Sequence, residues 1–574
     1  MATTQIPESI REELVASSAS LAKGKAPAEQ LETGSEMKIV YNNLGAESPA
    51  EIPVTMTSEG IKAYSGDYWG TFSLEKFASA SSLTYTHEDA WGWLNYLKKF
   101  QPENFRYLDQ NVRIWAYKEQ YDNWQDTYGM DAVMAVYHSG HGGMTSSGKF
   151  YAPLGSDWGG QGTTIYSDQM RLGNEQVRYI FWSTCYSLRV LHGHNPIRTW
   201  DPANLGFRML FGYETVSYDN PDYGSAFWKH WNKGKSFSKA FMDASWYDIS
   251  TRQAPSVVAC GATQNEAKNR VYNERLFYWG SVSKNWWWWR WYNAASATTA
   301  IRATNQELPN ELLVAQFDKV NVSGRLVQSI MRKHDVAIAM PNEVTASENG
   351  TFYLQEGDRR ISMEGDGSYE IQFCAPNLEN LEQIAPEKAV SLGWDFLRQH
   401  GLNTDELMLD SVLLSSEGGG SQDGSGVLEG PFVTETILQF TQAINGLPVL
   451  LPNKGSVSVT VDNDGAVTSM SNSIKPILTM SEKSKGTFMG PDEPNPLDQG
   501  IDPKVLLADV WQNQLKETLI RGRMPLSYRE VPGSFEIGYH VDGDIASLVA
   551  RNDIEVDCGG GYYKRYSIKA PLIR

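Results

Sequence analysis

Short, continuously apolar runs alternate with helical segments over the first half of the chain, and this alternation constrains the fold more than any other feature. Apolar residues recur at helical spacing from His87 to Phe100 and from Ser225 to Ser245. Strands that are apolar on both faces and separated by helices predict a largely parallel sheet flanked by helices, an α/β domain. The runs with strand character are MKIVY (37–41), GIKAY (60–64), VRIWAY (112–117), AVMAVY (132–137), YIFWST (179–184), FRMLFGY (207–213) and SVVACG (256–261).

Length, charge and cysteine content narrow the class of protein. A chain of 574 residues exceeds one hydrophobic core, so two or three domains are expected. A net charge of -18 without a Lys/Arg cluster argues against a nucleic-acid partner. The sequence shows neither a secretory signal nor a long apolar run, and its four cysteines are scattered, so we expect a cytoplasmic protein without a membrane span.

Changes in composition predict four segments. Residues 1–36 are expected to form a flexible arm, and residues 37–304 the α/β domain. The tryptophan-rich run NWWWWRWY (285–292) is expected to pack as a seam, because five bare tryptophans would promote aggregation. Residues 305–480 and 481–574 are expected to be α+β, with helices at 386–400 and 503–515 and a flexible Gly/Ser loop at 414–431.

Residues 434–470 read as a series of strands joined by turns at Asn445-Gly446 and at 463–465. This pattern resembles the propeptide-type domains known as PepSY or thermolysin-propeptide domains. The resemblance implies that the C-terminal half regulates the first half or recognises a partner protein.

Polar residues follow two of the apolar runs where each run ends. AVMAVY leads into His138 and then His141-Gly142, and YIFWST leads into Cys185. Ligands of an open parallel sheet bind at the carboxyl ends of its strands, so both groups should lie at a binding edge. A thiol beside an imidazole is the minimum for nucleophilic thiol catalysis, and Gly142 leaves room for a substrate carbonyl to approach the backbone.

The blocks SGHGG (139–143) and STCYS (183–187) resemble the two signatures of clan CD cysteine peptidases, the group of caspases, metacaspases, legumains and gingipains. The resemblance implies a caspase-hemoglobinase-like sheet followed by C-terminal α+β domains, and a thiol peptidase acting on protein or peptide substrates. It makes Cys185 the nucleophile and His141 the general acid/base. It also makes the N–H groups of Gly142 and Cys185 the oxyanion hole, and leaves His138 a structural role.

The chain departs from this group at the position that selects the substrate side chain. Ser183 stands two residues before Cys185, where metacaspases carry Asp, legumains Glu and caspases Gln. Two further pocket positions of the group fall near Asp67 and Glu214. If both carboxylates face the pocket, substrates with a basic residue before the cleaved bond are expected.

Three other interpretations remain open at this stage. A metal site could draw on His138, His141, His192 and His194, although no HExxH framework accompanies them, and no metal or cofactor is expected. A peptide ligase or cyclase would use the same thiol and imidazole. A non-catalytic caspase-like scaffold is the third, while Cys260, Cys374 and Cys558 are expected to be structural.

Overall fold

A computed structural model describes residues 48–50, 54–57, 60–63, 67–295, 313–339, 351–424, 428–450, 453–482, 497 and 500–573. The expected N-terminal arm and the strand expected at 37–41 lie outside these ranges. Within them the chain is mixed α/β and is organised around one mixed sheet of 15 strands.

The strands of the described ranges are, in the first half, β1 (Val54–Thr57), β2 (Gly60–Ala63), β3 (Trp69–Ser73), β4 (Phe105–Leu108), β5 (Ala135–Ser139), β6 (Gly143–Met144), β7 (Phe150–Pro153), β8 (Thr164–Tyr166), β9 (Tyr179–Ser183), β10 (Met209–Tyr213), β11 (Pro255–Gly261) and β12 (Trp286–Ala294). In the second half they are β13 (Leu313–Phe317), β14 (Phe352–Glu356), β15 (Arg359–Met363), β16 (Tyr369–Gln372), β17 (Leu407–Ser421), β18 (Glu429–Ile444), β19 (Leu447–Pro448), β20 (Ser456–Asp462), β21 (Val467–Asn472), β22 (Ile477–Glu482), β23 (Ser527–Glu530), β24 (Glu536–Asp542), β25 (Ile545–Gly559) and β26 (Tyr562–Pro571).

The α-helices of the described ranges are α1 (Thr86–Leu97), α2 (Asp122–Tyr128), α3 (Pro196–Trp200), α4 (Tyr223–Trp231), α5 (Phe237–Asp243), α6 (Gln264–Asn273), α7 (Gly324–Lys333), α8 (Pro386–Gln399) and α9 (Pro503–Arg521). The helix expected from Ser225 to Ser245 is divided into α4 and α5. Gly234, at φ +78°, reverses the chain between them.

One end of the large sheet is parallel and carries the candidate site. Strands β4, β3, β5, β9 and β10 lie side by side in that order, and all four pairings are parallel. Every residue of β3, β5, β9 and β10 is buried, which agrees with their continuous apolar sequences. From β11 onward the pairings are antiparallel, so the expectation of a largely parallel sheet is wrong for the rest of it.

The tryptophan run forms β12, which joins the first half of the sheet to the second. β12 pairs with β11 on one side and with β17 on the other, so the sheet continues across the expected boundary near residue 304. The expected flexible loop at 414–431 is wrong over 414–421, which is strand. A side chain at Gly419 would collide with the ring of Trp288, so these glycines give the indoles room to pack.

Two other strand predictions need correction. VRIWAY (112–117) is buried but forms 3₁₀ turns, because a short apolar run fits a covered loop as well as a strand. The run at 60–64 contributes β2, which pairs with β1 in a separate two-stranded sheet. The first strand of the parallel core is therefore β3.

The two faces of the parallel sheet are covered by different parts of the chain. Helices α1, α4, α5 and α6 contribute to the apolar core on one face. The core on the other face includes Trp182 and Phe150 together with Trp511 and Tyr566 of the C-terminal region. That region is a second sheet in which β26 and β13 pair with β25, so residues 313–317 and 477–482 join the C-terminal unit.

Candidate active site

Strand register brings His141 and Cys185 to the same edge of the sheet. β5 and β9 are parallel neighbours, and their last paired residues are Ser139 and Ser183. His141 and Cys185 each follow two residues later, so they occupy equivalent places beyond the same sheet edge. A Cβ on Gly142 would lie 2.7 Å from the carbonyl oxygen of Cys185, which shows how closely the two loops approach.

His141 is buried and held by one ring nitrogen. Its Nε2 lies 3.0 Å from the carbonyl oxygen of Ser81, and its Nδ1 is buried without a hydrogen-bond partner. Burial, reinforced by the positive charge of Lys564, lowers the pKa of His141 to about 3, so the ring is neutral at pH 7. Since a carbonyl only accepts, Nε2 carries the proton and Nδ1 offers a lone pair that can take a proton from a thiol.

Cys185 is also fully buried, and its neighbours come from three segments. Its Sγ lies 3.0 Å from the carbonyl oxygen of Tyr563 and 3.4 Å from Oγ of Ser217, and it accepts a hydrogen bond from the Ser217 N–H at 3.2 Å. The following residue, Tyr186, has φ +56°, a left-handed conformation that turns the chain sharply after the thiol. The thiol therefore sits at a tight turn beneath the C-terminal strand β26.

The backbone around the pair offers uncommitted donors. Neither the N–H of Gly142 nor that of Cys185 donates to an acceptor within the described ranges. Two free N–H groups beside a thiol can receive the oxygen of a tetrahedral intermediate. These are the two groups that the sequence predicted for that purpose.

His138 has a packing role, as expected. Its Nδ1 lies 2.9 Å from the Tyr117 hydroxyl, its ring packs on Trp182, and burial lowers its pKa to about 3. His192 is exposed in the loop that follows Cys185. No group of three or more His, Cys, Asp or Glu side chains suited to hold a metal occurs in the part of the chain that the structure describes.

The expected selectivity residues lie in different places. Asp67 precedes β3, where its backbone oxygen accepts from the N–H of Met134, so it lies at the end of the sheet opposite Cys185. Glu214 follows β10 at the correct edge, but its carboxylate binds Arg189 at 3.1 Å and the N–H of Val190. The two carboxylates therefore lie at opposite ends of the sheet, and the specificity expected from them stays a prediction.

Ser183 does lie at the site, and a carboxylate reaches it from helix α1. Asp89 is buried and accepts hydrogen bonds from the hydroxyls of Ser139 at 2.6 Å and Tyr137 at 2.7 Å. Burial raises the pKa of Asp89 to about 6, against hydrogen bonds that include one from Ser183. A carboxylate that contacts Ser183 thus comes from a helix. The sequence holds one sign of this buried acid: Asp89 lies four residues before Trp93, so it shares the apolar face of its helix.

Two further groups of the site came from regions without a sequence signal. Asp219 is buried, and its carboxylate accepts from the N–H groups of Thr84 and Tyr85 at 2.7 and 3.2 Å. Lys564 of β26 is 2% exposed and donates to Oγ of Ser217 at 3.1 Å. The long separation between these residues in sequence hid their proximity.

Comparison with known proteins finds that part of the chain matches a family model. Residues 58–292 match the family described as a domain of unknown function, DUF6345, which covers less than half of the chain. The match includes both His141 and Cys185 and ends within β12. No curated protein matches the chain. Among the helices in the described ranges, none combines the length and the apolar composition needed to cross a bilayer.

Proposed function

We propose that the chain is a cysteine peptidase that cleaves peptide bonds with Cys185 as nucleophile and His141 as general acid and base. One observation carries the proposal. His141 and Cys185 stand at equivalent positions beyond two parallel strands, with Nε2 of the imidazole fixed by Ser81 and Nδ1 left free. A neutral imidazole with a free lone pair is the form that a thiol requires of its base.

The first half of the reaction forms an acyl-enzyme. The Cys185 thiol gives its proton to Nδ1 of His141, and the thiolate attacks the carbonyl carbon of the substrate. The carbonyl oxygen becomes an oxyanion, which accepts hydrogen bonds from the N–H groups of Gly142 and Cys185. When the tetrahedral intermediate collapses, the C–N bond breaks, the imidazolium protonates the leaving amine, and a thioester remains on Cys185.

The second half restores the enzyme. Water gives a proton to His141 and attacks the thioester carbonyl, and collapse of the second intermediate releases a carboxylic acid. Transfer of the acyl group to an amine in place of water is a second candidate, because the same thioester can be attacked by either nucleophile. Product masses with and without an added amine nucleophile separate hydrolysis from transfer.

Labelling with an electrophilic peptide probe at pH 7 tests the proposal. The probe is applied to the full chain. Because β26 covers the thiol, it is also applied to the full chain carrying Lys564→Glu, a substitution within β26 that is meant to uncover Cys185. We expect covalent addition at Cys185, loss of labelling in Cys185→Ala, and labelling at least a hundredfold slower in His141→Ala, because general-base assistance is worth about 10²–10⁴.

Cys374 provides the matched control, because it is the most exposed cysteine of the chain. The Cys374→Ala protein should label Cys185 at an unchanged rate. The two rates are compared in the Lys564→Glu protein. If Cys185 is labelled there no faster than Cys374, or at a rate that does not depend on His141, the proposal is refuted.

A further inference from the structure

The C-terminal strand β26 closes the mouth of the site as an added edge strand. β26 pairs with β25 along one edge. Its other edge meets the loop after β10, where the N–H of Arg565 donates to the Ser217 oxygen at 3.1 Å and the N–H of Asp219 donates to the Arg565 oxygen at 2.9 Å. Backbone pairing of this kind is how an extended peptide is bound by an exposed strand edge.

The residues of β26 that enter the cleft contact both members of the pair. The carbonyl oxygen of Tyr563 accepts from the Cys185 thiol at 3.0 Å, and the ring of Tyr562 stacks on the His141 imidazole with centroids 5.8 Å apart. The thiol proton is therefore committed to β26, and a second chain cannot occupy the space above the imidazole. In this arrangement the site is closed to substrate.

Lys564 places a buried ammonium group against Ser217, whose hydroxyl also contacts the Cys185 thiol. Nζ donates to Oγ of Ser217 and to the carbonyl oxygen of Gly140, at 3.1 and 3.4 Å. No carboxylate of the described ranges lies within 4.0 Å of Nζ, so the cation is held by neutral oxygens in direct contact.

Two buried carboxylates, Asp89 and Asp219, flank this ammonium at longer range, and the charge of Lys564 opposes the rise that burial causes in the pKa of each. A buried ammonium is costly unless negative charge compensates it. Asp89 and Asp219 are each fixed by hydrogen bonds from elements other than β26. Both carboxylates therefore keep their positions beside the cleft when β26 is absent.

We infer that the cleft over Cys185 binds an extended polypeptide with a basic side chain, that Asp89 and Asp219 select that charge, and that β26 occupies the cleft as a built-in inhibitor until it is displaced. The inference rests on the proposed function for the role of the thiol, and it adds the substrate class and the regulation. It also proposes Asp89 and Asp219 as the selecting acids, in place of Asp67 and Glu214.

Thiol accessibility in the full-length protein tests the inhibitor role without requiring activity. Lys564→Glu sets a carboxylate against Asp89 and Asp219, so β26 should leave the cleft. We expect alkylation of Cys185 by iodoacetamide, followed by peptide mass mapping, to become at least tenfold faster. Lys569→Glu changes an exposed lysine of the same strand and should stay within twofold of the unaltered protein.

A folded Lys564→Glu protein with an equally protected Cys185 would overturn the inhibitor role, as would equal exposure in Lys569→Glu. Circular dichroism verifies the fold of each variant. If Lys564→Glu does not fold, Lys564→Met keeps the aliphatic stem and removes only the charge. It should accelerate alkylation at least threefold, and no acceleration would count against the inference.

Peptide binding to the opened protein tests the selectivity. The probes are a fluorescent Tyr-Tyr-Lys-Arg-Tyr peptide and the same peptide with norleucine in place of lysine. We expect the lysine peptide to bind at least tenfold more tightly, and we expect Asp89→Asn and Asp219→Asn to remove the difference. Equal binding of both peptides would refute the selectivity.

The readouts separate this inference from the peptidase proposal. Selective peptide binding and thiol exposure without hydrolysis would support the inference and refute the peptidase proposal. Hydrolysis with no preference for basic side chains, by a protein whose thiol is equally exposed in all variants, would support the peptidase proposal and refute the inference.

Discussion

Substitution of Gly142 by alanine is the sharpest test of the geometry around Cys185. The new Cβ would lie 2.7 Å from the Cys185 carbonyl oxygen, and 2.8 Å from both the Phe150 ring and Oγ1 of Thr184. Favourable contacts between carbon atoms lie at about 3.5–4.0 Å, so the loop must move by roughly 0.7 Å or more. All three neighbours are buried, and two of the contacts are to the segment that carries Cys185.

The cost of this movement can be bounded. Overpacking a tightly packed site typically costs about 1–3 kcal/mol. One kcal/mol corresponds to about 2–4 °C in Tm for domains of 150–250 residues, so we expect Tm to fall by a few degrees. The larger effect should be on the chemistry, because loss of one oxyanion donor lowers kcat by about 10²–10³.

Gly280→Ala is the matched control. The only atom near a Cβ at that position is Nη1 of Arg208, at 3.9 Å, and its φ is not positive. Scanning calorimetry and the rate of Cys185 labelling are measured for both variants in the Lys564→Glu background. If Gly142→Ala has the same Tm as Gly280→Ala, and if Cys185 is labelled at the same rate in both variants, the two loops are not packed as described.

Two further predictions concern buried charge. Lys235→Met should destabilise the protein by about 3 kcal/mol in urea unfolding, because it removes a cation that lies 2.7 Å from the buried carboxylates of Asp243 and Glu370, while Asp243 keeps Lys239 at 3.2 Å. Lys319→Met, which removes an exposed partner of Asp544, should cost less than about 1 kcal/mol, and equal losses in the two variants would contradict this reasoning. For Asp89, burial raises the folded-state pKa from 3.8 to about 6, so the contribution of this group to stability is fully present below pH 3.8 and is lost as the pH rises through 6. The stability of Asp89→Asn relative to the unaltered protein should therefore improve by about 3 kcal/mol between pH 4 and pH 7, at 1.36 kcal/mol per pKa unit, and a difference that is constant with pH would count against a raised pKa.

Local patterns were sufficient to predict the parallel core and the pair at its edge. β5, β9 and β10 are continuously apolar and buried, and each lies within or next to its predicted run. Because the predicted strands were parallel neighbours, polar residues at their carboxyl ends had to meet at one edge. The same reasoning failed at 112–117, where burial of a loop imitates a strand, and at 414–421, where glycines that suggest flexibility make room for indole rings.

The acids of the pocket could not be predicted in the same way. Ser183 was recognised as a departure, but the carboxylate that contacts it, that of Asp89, comes from a helix 94 residues earlier, and Asp219 comes from a loop after a different strand. Lys564 lies 379 residues beyond Cys185 and reaches it only because the C-terminal sheet packs on that face. Periodicity describes which face of one element is apolar, and it carries no information on which distant element covers that face.

His141, Gly142 and Cys185 therefore followed from the sequence alone, since residue type, strand-end position and spacing are local properties of the chain. The closure of the site did not. It depends on how a sheet built from strands within residues 313–317, 477–482 and 527–571 docks against the α/β core, and docking is set by the summed packing of many side chains that are distant in sequence. The tertiary structure turned an expected open cleft into a covered one, with Tyr563 on the thiol and Lys564 in the acidic pocket beside it.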